Sequence, residues 1–280
     1  MDSKVLKSAE VLFNLAYTED IGAGDVTTEN FIPQGEIKTA RLVAKEEGVV
    51  AGLPVVEMVF KRFDENFKWN EILKDGTKVV PGDIIAEFTG TYRALLSGER
   101  IALNFLQRMS GIASYASQFV KMTEGTKVEI LDTRKTLPGY RHLDKYSVKM
   151  GGASNHRFGL YDMVMIKDNH IQIAGGIKPA VEAIRKRIPM SIKIEVETTS
   201  IKQVKEALEA GADIIMLDNM SNETMTEAVG IIDGRAKVEA SGNMTLERIA
   251  EVSKTGIDYI SIGALTHSVN GLDISQRIID

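Results

Sequence analysis

The sequence predicts an α/β protein in two parts: about a hundred residues of short mixed elements, then a run of βα units forming a parallel barrel or doubly wound sheet. Three observations carry this. Six short apolar runs recur from residue 127 onward, KVEIL (127–131), MVMIK (163–167), IKIEV (192–196), DIIML (213–217), AKVEA (236–240) and DYISI (258–262), and they read as buried strands. Helical patterns between the later runs stop at glycine, VKEALEAG at Gly211 and LERIAEVSKTG at Gly256, as left-handed helix ends do. Nothing before residue 100 has this rhythm. At 280 residues, 44% hydrophobic and 26% charged, the chain is long enough for a large core or two modest ones.

In chain order, residues 3–19 place Val5, Leu6, Ala9, Leu12, Phe13 and Ala16 at helical spacing, with Ser3 as the expected cap. An irregular stretch, EDIGAGDVTTENFIPQG, is broken by glycines and Pro33. Strands are expected at 39–44, 48–51, 70–73 and 84–89, with a helix at 54–63. The segment LKDGTKVVPGDIIAEFTG (73–90) carries hairpin turns at Asp75-Gly76 and Pro81-Gly82-Asp83, a pattern shared with lipoyl and biotinyl carriers. It lacks their Met-Lys turn, so a structural sandwich element is expected. A long helix follows over 97–123.

Lys127-Val-Glu129, Lys193-Ile-Glu195 and Lys237-Val-Glu239 repeat one pattern on the first, third and fifth strands. Period-two geometry puts both charges on one face. The expectation is a layer of lysines below a layer of glutamates inside the barrel, paired because isolated buried charges are costly; the alternative is that these faces look outward to solvent.

Thirty-four Lys and Arg against 39 Asp and Glu give −5, which argues against a general nucleic-acid binder. Locally the balance reverses: residues 132–170 hold Arg134, Lys135, Arg141, Lys145, Lys149, Arg157 and Lys167 against Asp132, Asp144, Asp162 and Asp168, with His142, His156 and His170. The absence of cysteine rules out disulfides, thiolate metal sites and cysteine nucleophiles. No apolar run approaches the ~18 residues of a membrane span, and the N-terminus does not read as a signal peptide. A soluble, cytoplasmic protein without membrane attachment is expected.

Catalytic groups of parallel βα folds sit just past the carboxyl ends of the strands. Those ends read Asp132-Thr133-Arg134-Lys135, Lys167-Asp168-Asn169-His170, Glu197, Asp218-Asn219, Ser241-Gly242-Asn243 and Gly263-Ala264. Arg134, Lys135, Lys167 and the His156-Arg157 loop make a cationic mouth suited to carboxylates and phosphates. Glu197 and Asp218 are hard oxygen donors for Mg²⁺ or ribose hydroxyls. Ser241-Gly242-Asn243 and Ile262-Gly263-Ala264 offer backbone N–H groups to a phosphate. Singly, each has a bland reading as solvated loop, cap or turn. Their convergence points to a substrate with two or more anionic groups, a divalent metal and a phosphorylated sugar.

The runs DTRKTLPGYRHLDKYSVKMGGASNHRFGLYDMVMIKDNH, EVE and MLDN, with GERIALNFLQRMSGIAS and EDIGAGDVTT upstream, resemble the quinolinate phosphoribosyltransferases, the carboxylating nicotinate-nucleotide pyrophosphorylases. The resemblance runs from about residue 10 to the C-terminus; SGNM at 241–244 departs where some members have a further glycine. It implies a type II phosphoribosyltransferase fold, an N-terminal α/β sandwich domain plus an incomplete parallel α/β barrel of about six strands. The implied domains are 1–110, with 268–280 packing back on it, and a catalytic barrel over 111–267. The implied reaction joins quinolinate and phosphoribosyl pyrophosphate into nicotinate mononucleotide, pyrophosphate and CO₂ for NAD biosynthesis.

Carried over by position, Thr133, Arg134, His156, Arg157 and Lys167 would hold quinolinate, joined by Arg100 from the other subunit of a homodimer or higher oligomer. Lys135, Glu197, Asp218, Ser241, Gly242, Asn243, Ile262, Gly263 and Ala264 would take phosphoribosyl pyrophosphate. Glu197 and Asp218 would bind Mg²⁺, directly or through water, and Lys135, Lys167, Glu197 and Asp218 are the expected catalytic groups. Competing readings are a related transferase acting on nicotinate, a ModD-like protein, a non-catalytic phosphosugar-binding barrel or carrier module, and a barrel lyase or aldolase using Lys167 as a Schiff base.

Overall fold

The computed structural model describes residues 1–279. The chain begins with α1 (Ser3–Asp20), α2 (Thr28–Phe31), β1 (Ile37–Ala44), β2 (Gly48–Val49), α3 (Leu53–Phe63), β3 (Lys68–Glu71), β4 (Lys78–Val79), β5 (Ile84–Thr91) and the long α4 (Tyr92–Met122). There follow β6 (Glu129–Leu131), α5 (Arg141–Met150), β7 (Val164–Ile166), α6 (Asp168–Ala174), α7 (Ile177–Arg185), β8 (Ile194–Thr198), α8 (Ile201–Glu209) and β9 (Ile214–Asp218). Last come α9 (Asn222–Ile232), β10 (Lys237–Ser241), α10 (Leu246–Val252), β11 (Tyr259–Ser261), α11 (Ala264–His267) and β12 (Ile274–Ile278).

Two compact units interleave along the chain, where the resemblance implied 1–110 with 268–280 packing back on it and a barrel over 111–267. The first takes residues 1–117, 136–152 and 264–280, the second 118–135 and 153–263. Asp280, the end of the expected 268–280 segment, lies outside the described residues.

The first unit carries an antiparallel sheet of order β12-β1-β5-β3, so the chain's last strand pairs along its first, Ala40 opposite Ile278. Its core follows from two periodicities. Helix α1 buries Val5, Ala9 and Phe13, and α3 buries Leu53, Val55, Val56, Val59 and Phe60, the spacing of one helical face. Strand β5 presents Phe88 to Phe60, ring centroids 5.0 Å apart, and to Trp69 at 5.5 Å. Each such buried aromatic contributes about 1.5–3 kcal/mol. Asp2, one residue before the expected Ser3, caps α1 by accepting the Lys4 amide.

The two turns of the 73–90 segment are built into this unit. Asp75 Oδ1 accepts the Gly52 and Leu53 amides at 3.0 Å, capping α3, and its other oxygen accepts the Tyr146 hydroxyl at 2.6 Å. Gly82, at φ 99°, supplies the left-handed residue of the Pro81-Gly82 turn. Part of the basic stretch is structural here as well: Lys145 on α5 is 1% exposed, and Arg108 forks onto buried Asp144 at 3.0 and 3.3 Å.

The second unit holds a parallel six-stranded sheet of order β6-β11-β10-β9-β8-β7. The strands follow one another in near-cyclic order with the β6–β7 pairing missing, so this is a barrel open on one side. Residues 153–157 run beside β6 there: Ser154 donates its amide to the Ile130 carbonyl at 2.8 Å, and the Asp132 amide donates to the Ser154 carbonyl at 3.2 Å. Ser200, Ser221 and Thr245 cap α8, α9 and α10 within a few residues of the preceding strands, which keeps the loops short and the strand ends together.

The Lys-x-Glu strands depart from the expected double layer. Glu195 and Glu239 are buried, 0% and 1% exposed, but Lys127, Lys193 and Lys237 are exposed. Lys237 pairs with Asp258 at 2.8 Å, and Lys127 lies 3.9 Å from the same carboxylate. Lys237 opens β10, while Lys193 and Lys127 lie one and two residues before β8 and β6; all three reach water at the rim, where an ammonium avoids desolvation. Glu129 is exposed as well, accepting the Ser154 hydroxyl at 2.8 Å, so the glutamate layer reduces to Glu195 and Glu239, which have another partner.

Candidate active site

The second unit brings most of the sequence-derived residues to the carboxyl ends of its strands. Past β6, the Lys135 amide donates to Thr133 Oγ1 at 3.1 Å, a tight turn that leaves Arg134 half-buried and Lys135 exposed. Arg157 lies on the 155–157 turn, its guanidinium donating to the Met163 carbonyl at 2.9 Å. Burial and then the charge of Arg134 push the Arg157 guanidinium below its ordinary range, so two guanidiniums repel across one mouth. Such a positive field is what a multiply charged anion would relieve.

Lys167, just past β7, meets Glu197 on β8, Nζ to Oε2 2.6 Å. The Lys167 amide donates to His170 Nδ1 at 3.0 Å, fixing the entry to α6. The lysine side chain is 45% exposed, so the pair is a mouth feature that substrate can exchange.

The phosphate-type loops are held by a small polar lattice. Asn219 donates to Asp218 Oδ2 at 2.8 Å and accepts from Asn243 at 3.3 Å. Asn219 and Asn243 both adopt positive φ, 54° and 50°, and Gly242 sits at 93°. A Cβ at Gly242 would fall 2.2 Å from Asn219 Oδ1, so glycine is required by space as well as by backbone. Arg248 donates to the carbonyls of Gly242 at 3.1 Å and Met220 at 2.8 Å, clamping the β9 and β10 loops together. After β11, the Ile262 amide is spent on the Leu131 carbonyl at 2.9 Å. Ile262 is thus a structural member of its loop, and Gly263 and Ala264 follow it. Arg100 is exposed on α4 in the first unit.

Beneath the mouth lies the partner of the buried glutamates. His156 Nε2 is 3.1 Å from Glu195 Oε2 and 3.3 Å from Glu239 Oε2; Nδ1 accepts the Arg157 amide at 2.7 Å. Burial alone would push the imidazole down, but bonds to the two glutamates, and their charges, raise it from 6.5 to about 10. Burial, then repulsion by Glu239, raises Glu195 to about 7 against the pull of His156. The three titrate as one system. With Nδ1 occupied as an acceptor, the ring carries its single N–H at Nε2, and the further proton that the three groups retain lies on the carboxylates.

This gives a pH dependence. Glu195 and His156 keep protons that they would lose near pH 4.5 and pH 6.5 in water, so the trio's contribution to stability is full below about pH 4.5 and is lost as pH rises through about 7 and toward about 10. In urea titrations the unfolding free energy is expected to fall across that window, less steeply in Glu239→Gln. Equal slopes in the two proteins would remove the trio as the cause.

Glu195, Glu239 and Arg248 were not among the sequence-derived site residues, and Asp132 stood there only as the first residue past its strand. A charge in the middle of an apolar run was the available signal for the glutamates; Arg248 had none, since an arginine on a helix face is ordinarily solvated. Among the described residues His156, Glu195 and Glu239 are the group whose ligand atoms lie closest together, all within 4.8 Å.

An open α/β barrel with a guanidinium-lined mouth, a carboxylate pair and glycine-bearing loops defines an enzyme that handles anionic, phosphorylated substrates. Residues 25–110 match the model of the quinolinate phosphoribosyl transferase N-terminal domain, and 112–277 that of the C-terminal domain. A Bacillus subtilis protein named probable nicotinate-nucleotide pyrophosphorylase (carboxylating) is 44% identical over 95% of this chain and 92% of its own. Quinolinate phosphoribosyltransferase (decarboxylating) 2 of Nicotiana glauca is 43% identical over 95% and 81%. The crystal structure of NadC from Streptococcus pyogenes superimposes with a TM-score of 0.93 at 40% identity, covering 97% of both chains. The chain belongs to the quinolinate phosphoribosyltransferase family.

Proposed function

We propose that the chain transfers a phosphoribosyl group from phosphoribosyl pyrophosphate to quinolinate with loss of CO₂, giving nicotinate mononucleotide and pyrophosphate for NAD biosynthesis. The observation that carries this reading is the gathering of Arg134, Arg157, Lys167 and Glu197 about the carboxyl ends of β6, β7 and β8, where the charge of Arg134 is felt at Arg157 and Lys167 pairs with Glu197. That much positive charge matches an acceptor with two carboxylates and is excessive for a monocarboxylate such as nicotinate.

In this reading Arg134, Arg157 and Lys167 hold the carboxylates, with Thr133 in the same loop, and orient the pyridine nitrogen toward the anomeric carbon. The nitrogen attacks with its own lone pair, the bond from that carbon to the pyrophosphate oxygen breaks, and no base is needed because the nitrogen carries no proton. Glu197 and Asp218 lie at the ends of neighbouring strands, near the sugar carbon as it becomes cationic. Their hard oxygens, with the donor's own phosphate oxygens, fit Mg²⁺ held directly or through water; when bound, the ion supplies neutralisation of the leaving diphosphate. Lys135, exposed after the Arg134 turn, faces the pyrophosphate side. The loops 241–243 and 262–264 take the 5′-phosphate.

Alkylation turns the ring into an electron sink. The bond to the adjacent carboxylate then breaks, CO₂ leaves, and the electron pair left on the ring carbon takes up a proton. An ammonium beside that carboxylate, from Lys135 or Lys167, releases it more readily than a bidentate guanidinium would. We further propose a homodimer in which Arg100 of the partner subunit completes the acceptor pocket, and a cytoplasmic location. Among the described residues no helix is long and apolar enough to cross a membrane.

The test is one assay with Mg²⁺, phosphoribosyl pyrophosphate and carboxyl-labelled quinolinate. Equal release of CO₂ and nicotinate mononucleotide is expected, with no turnover of nicotinate. Folded protein that makes neither product would limit the family likeness to the fold.

A further inference from the structure

The position of His156 in this family pattern invites the reading that it touches the substrate, yet its geometry is that of a buried support. The side chain is 6% exposed, and both ring nitrogens are engaged inside the unit, Nε2 by Glu195 and Glu239 and Nδ1 by the Arg157 amide. An imidazole that binds a carboxylate must aim an N–H at it; here the Nδ1 lone pair takes the Arg157 amide and Nε2 is turned inward, within ion-pair distance of two buried carboxylates.

What the ring does hold is the residue next to it. The turn is pinned at one end by Asp132, itself 0% exposed, which accepts the His156 amide at 2.9 Å and the Asn155 side chain at 2.8 Å. At the other end the guanidinium of Arg157 is tethered to the Met163 carbonyl at 2.9 Å and to Met165 Sδ at 3.6 Å. Between these anchors the ring spans the barrel from the β6 side to Glu195 on β8 and Glu239 on β10. Rotating the imidazole would carry the Arg157 backbone with it.

We infer that His156, Glu195 and Glu239 form a positioning device that sets Arg157 at the mouth, and that His156 itself makes no contact with the acceptor's carboxylates. This rests on the quinolinate reading for what Arg157 holds. The device itself stands on the internal geometry alone. Glu195 and Glu239 are thereby positioning residues, absent from any reading that stops at the cationic groups.

Two measurements decide it. The first is kinetic. His156→Ala is expected to raise the quinolinate KM by about 10- to 100-fold, the loss found when a residue that orients a ligating side chain is removed, with the phosphoribosyl pyrophosphate KM nearly unchanged. His156→Gln keeps a donor for the glutamates without any charge and is expected to restore most of that loss. In an Arg157→Ala background, His156→Gln and His156→Ala should behave alike, because the device then has nothing to position. Losses that multiply across the two sites, or His156→Gln as impaired as His156→Ala at equal melting temperature, would make His156 a direct ligand and overturn the inference.

The second needs no turnover and survives a misfolding alanine variant. With ¹⁵N-histidine protein, the His156 ring nitrogens should report an acceptor at Nδ1 and a protonated Nε2, and neither should shift when quinolinate saturates the protein. A shift of either signal on quinolinate binding would overturn the inference. So would a stoichiometric divalent ion that survives dialysis and is released by Glu239→Gln, since the trio would then be a metal site. If the wild type does not turn quinolinate over, the functional reading fails, while the nitrogen signals in the substrate-free protein still decide the device.

Discussion

Arg134→Ala is expected to lower kcat/KM for quinolinate by about 10²- to 10³-fold, the cost of removing one preorganised charged donor, while the melting temperature stays where it is. Arg134 follows the end of β6 on a turn closed by Thr133 Oγ1 and is half-buried, so its loss opens the mouth to water without a core cavity. Its charge also reaches Arg157, whose protonated guanidinium it destabilises after burial has done so. Free protein therefore loses a repulsion in the variant, whereas the substrate complex loses an attraction. The lost repulsion does not weaken the fold, and the lost attraction falls on binding and transition-state stabilisation. Arg134→Lys keeps the charge but not the planar fork, and an intermediate loss is expected. Steady-state kinetics with each substrate varied in turn, beside thermal melts, is the check. Near-normal turnover in Arg134→Ala would contradict the role of the cationic mouth.

The parts that could be read in the chain and the parts that could not divide along a physical line. Buried parallel strands are apolar on both faces, so the six runs stood out, and β6 to β11 lie within them or extend one or two residues past them. Glycine punctuation likewise marked the end of α8, where Gly211 sits at φ 78°. Strand ends share one side in any parallel barrel, which is why the sequence alone places Arg134, Lys167, Glu197 and Asp218 together at that end.

Depth and company were another matter. Period-two alternation tells which face a residue shares and not how far along the strand water reaches. Lys193 and Glu195 therefore looked alike, although one is exposed at the rim and the other fully buried. The 136–152 stretch has a helical pattern that fits either core, and it joins the first unit. Nor does a sequence reveal which way an imidazole turns. His156 next to Arg157 reads as two cations side by side, but the ring faces inward onto Glu195 and Glu239.

Two inactive proteins are expected to make an active one. If the acceptor pocket takes Arg100 of the partner subunit, then Arg100→Ala and Lys135→Ala each abolish turnover for different reasons. The first removes a group that the subunit lends, the second a group that it keeps. Arg100 is exposed on α4 of the first unit, and Lys135 is exposed on the turn after β6 in the second, so neither substitution removes a core contact and subunit exchange should proceed normally. In a mixed dimer one site receives an intact Arg100 from one chain beside an intact Lys135 of the other, while the second site lacks both. A 1:1 mixture at full exchange makes half its dimers mixed, each with one working site, so roughly a quarter of wild-type specific activity should return. The return should follow the kinetics of exchange, measured in parallel by native mass spectrometry of differently tagged chains. Activity that stays at baseline while mixed dimers accumulate would mean that each subunit builds its site alone, and Arg100 would lose its role in the acceptor pocket.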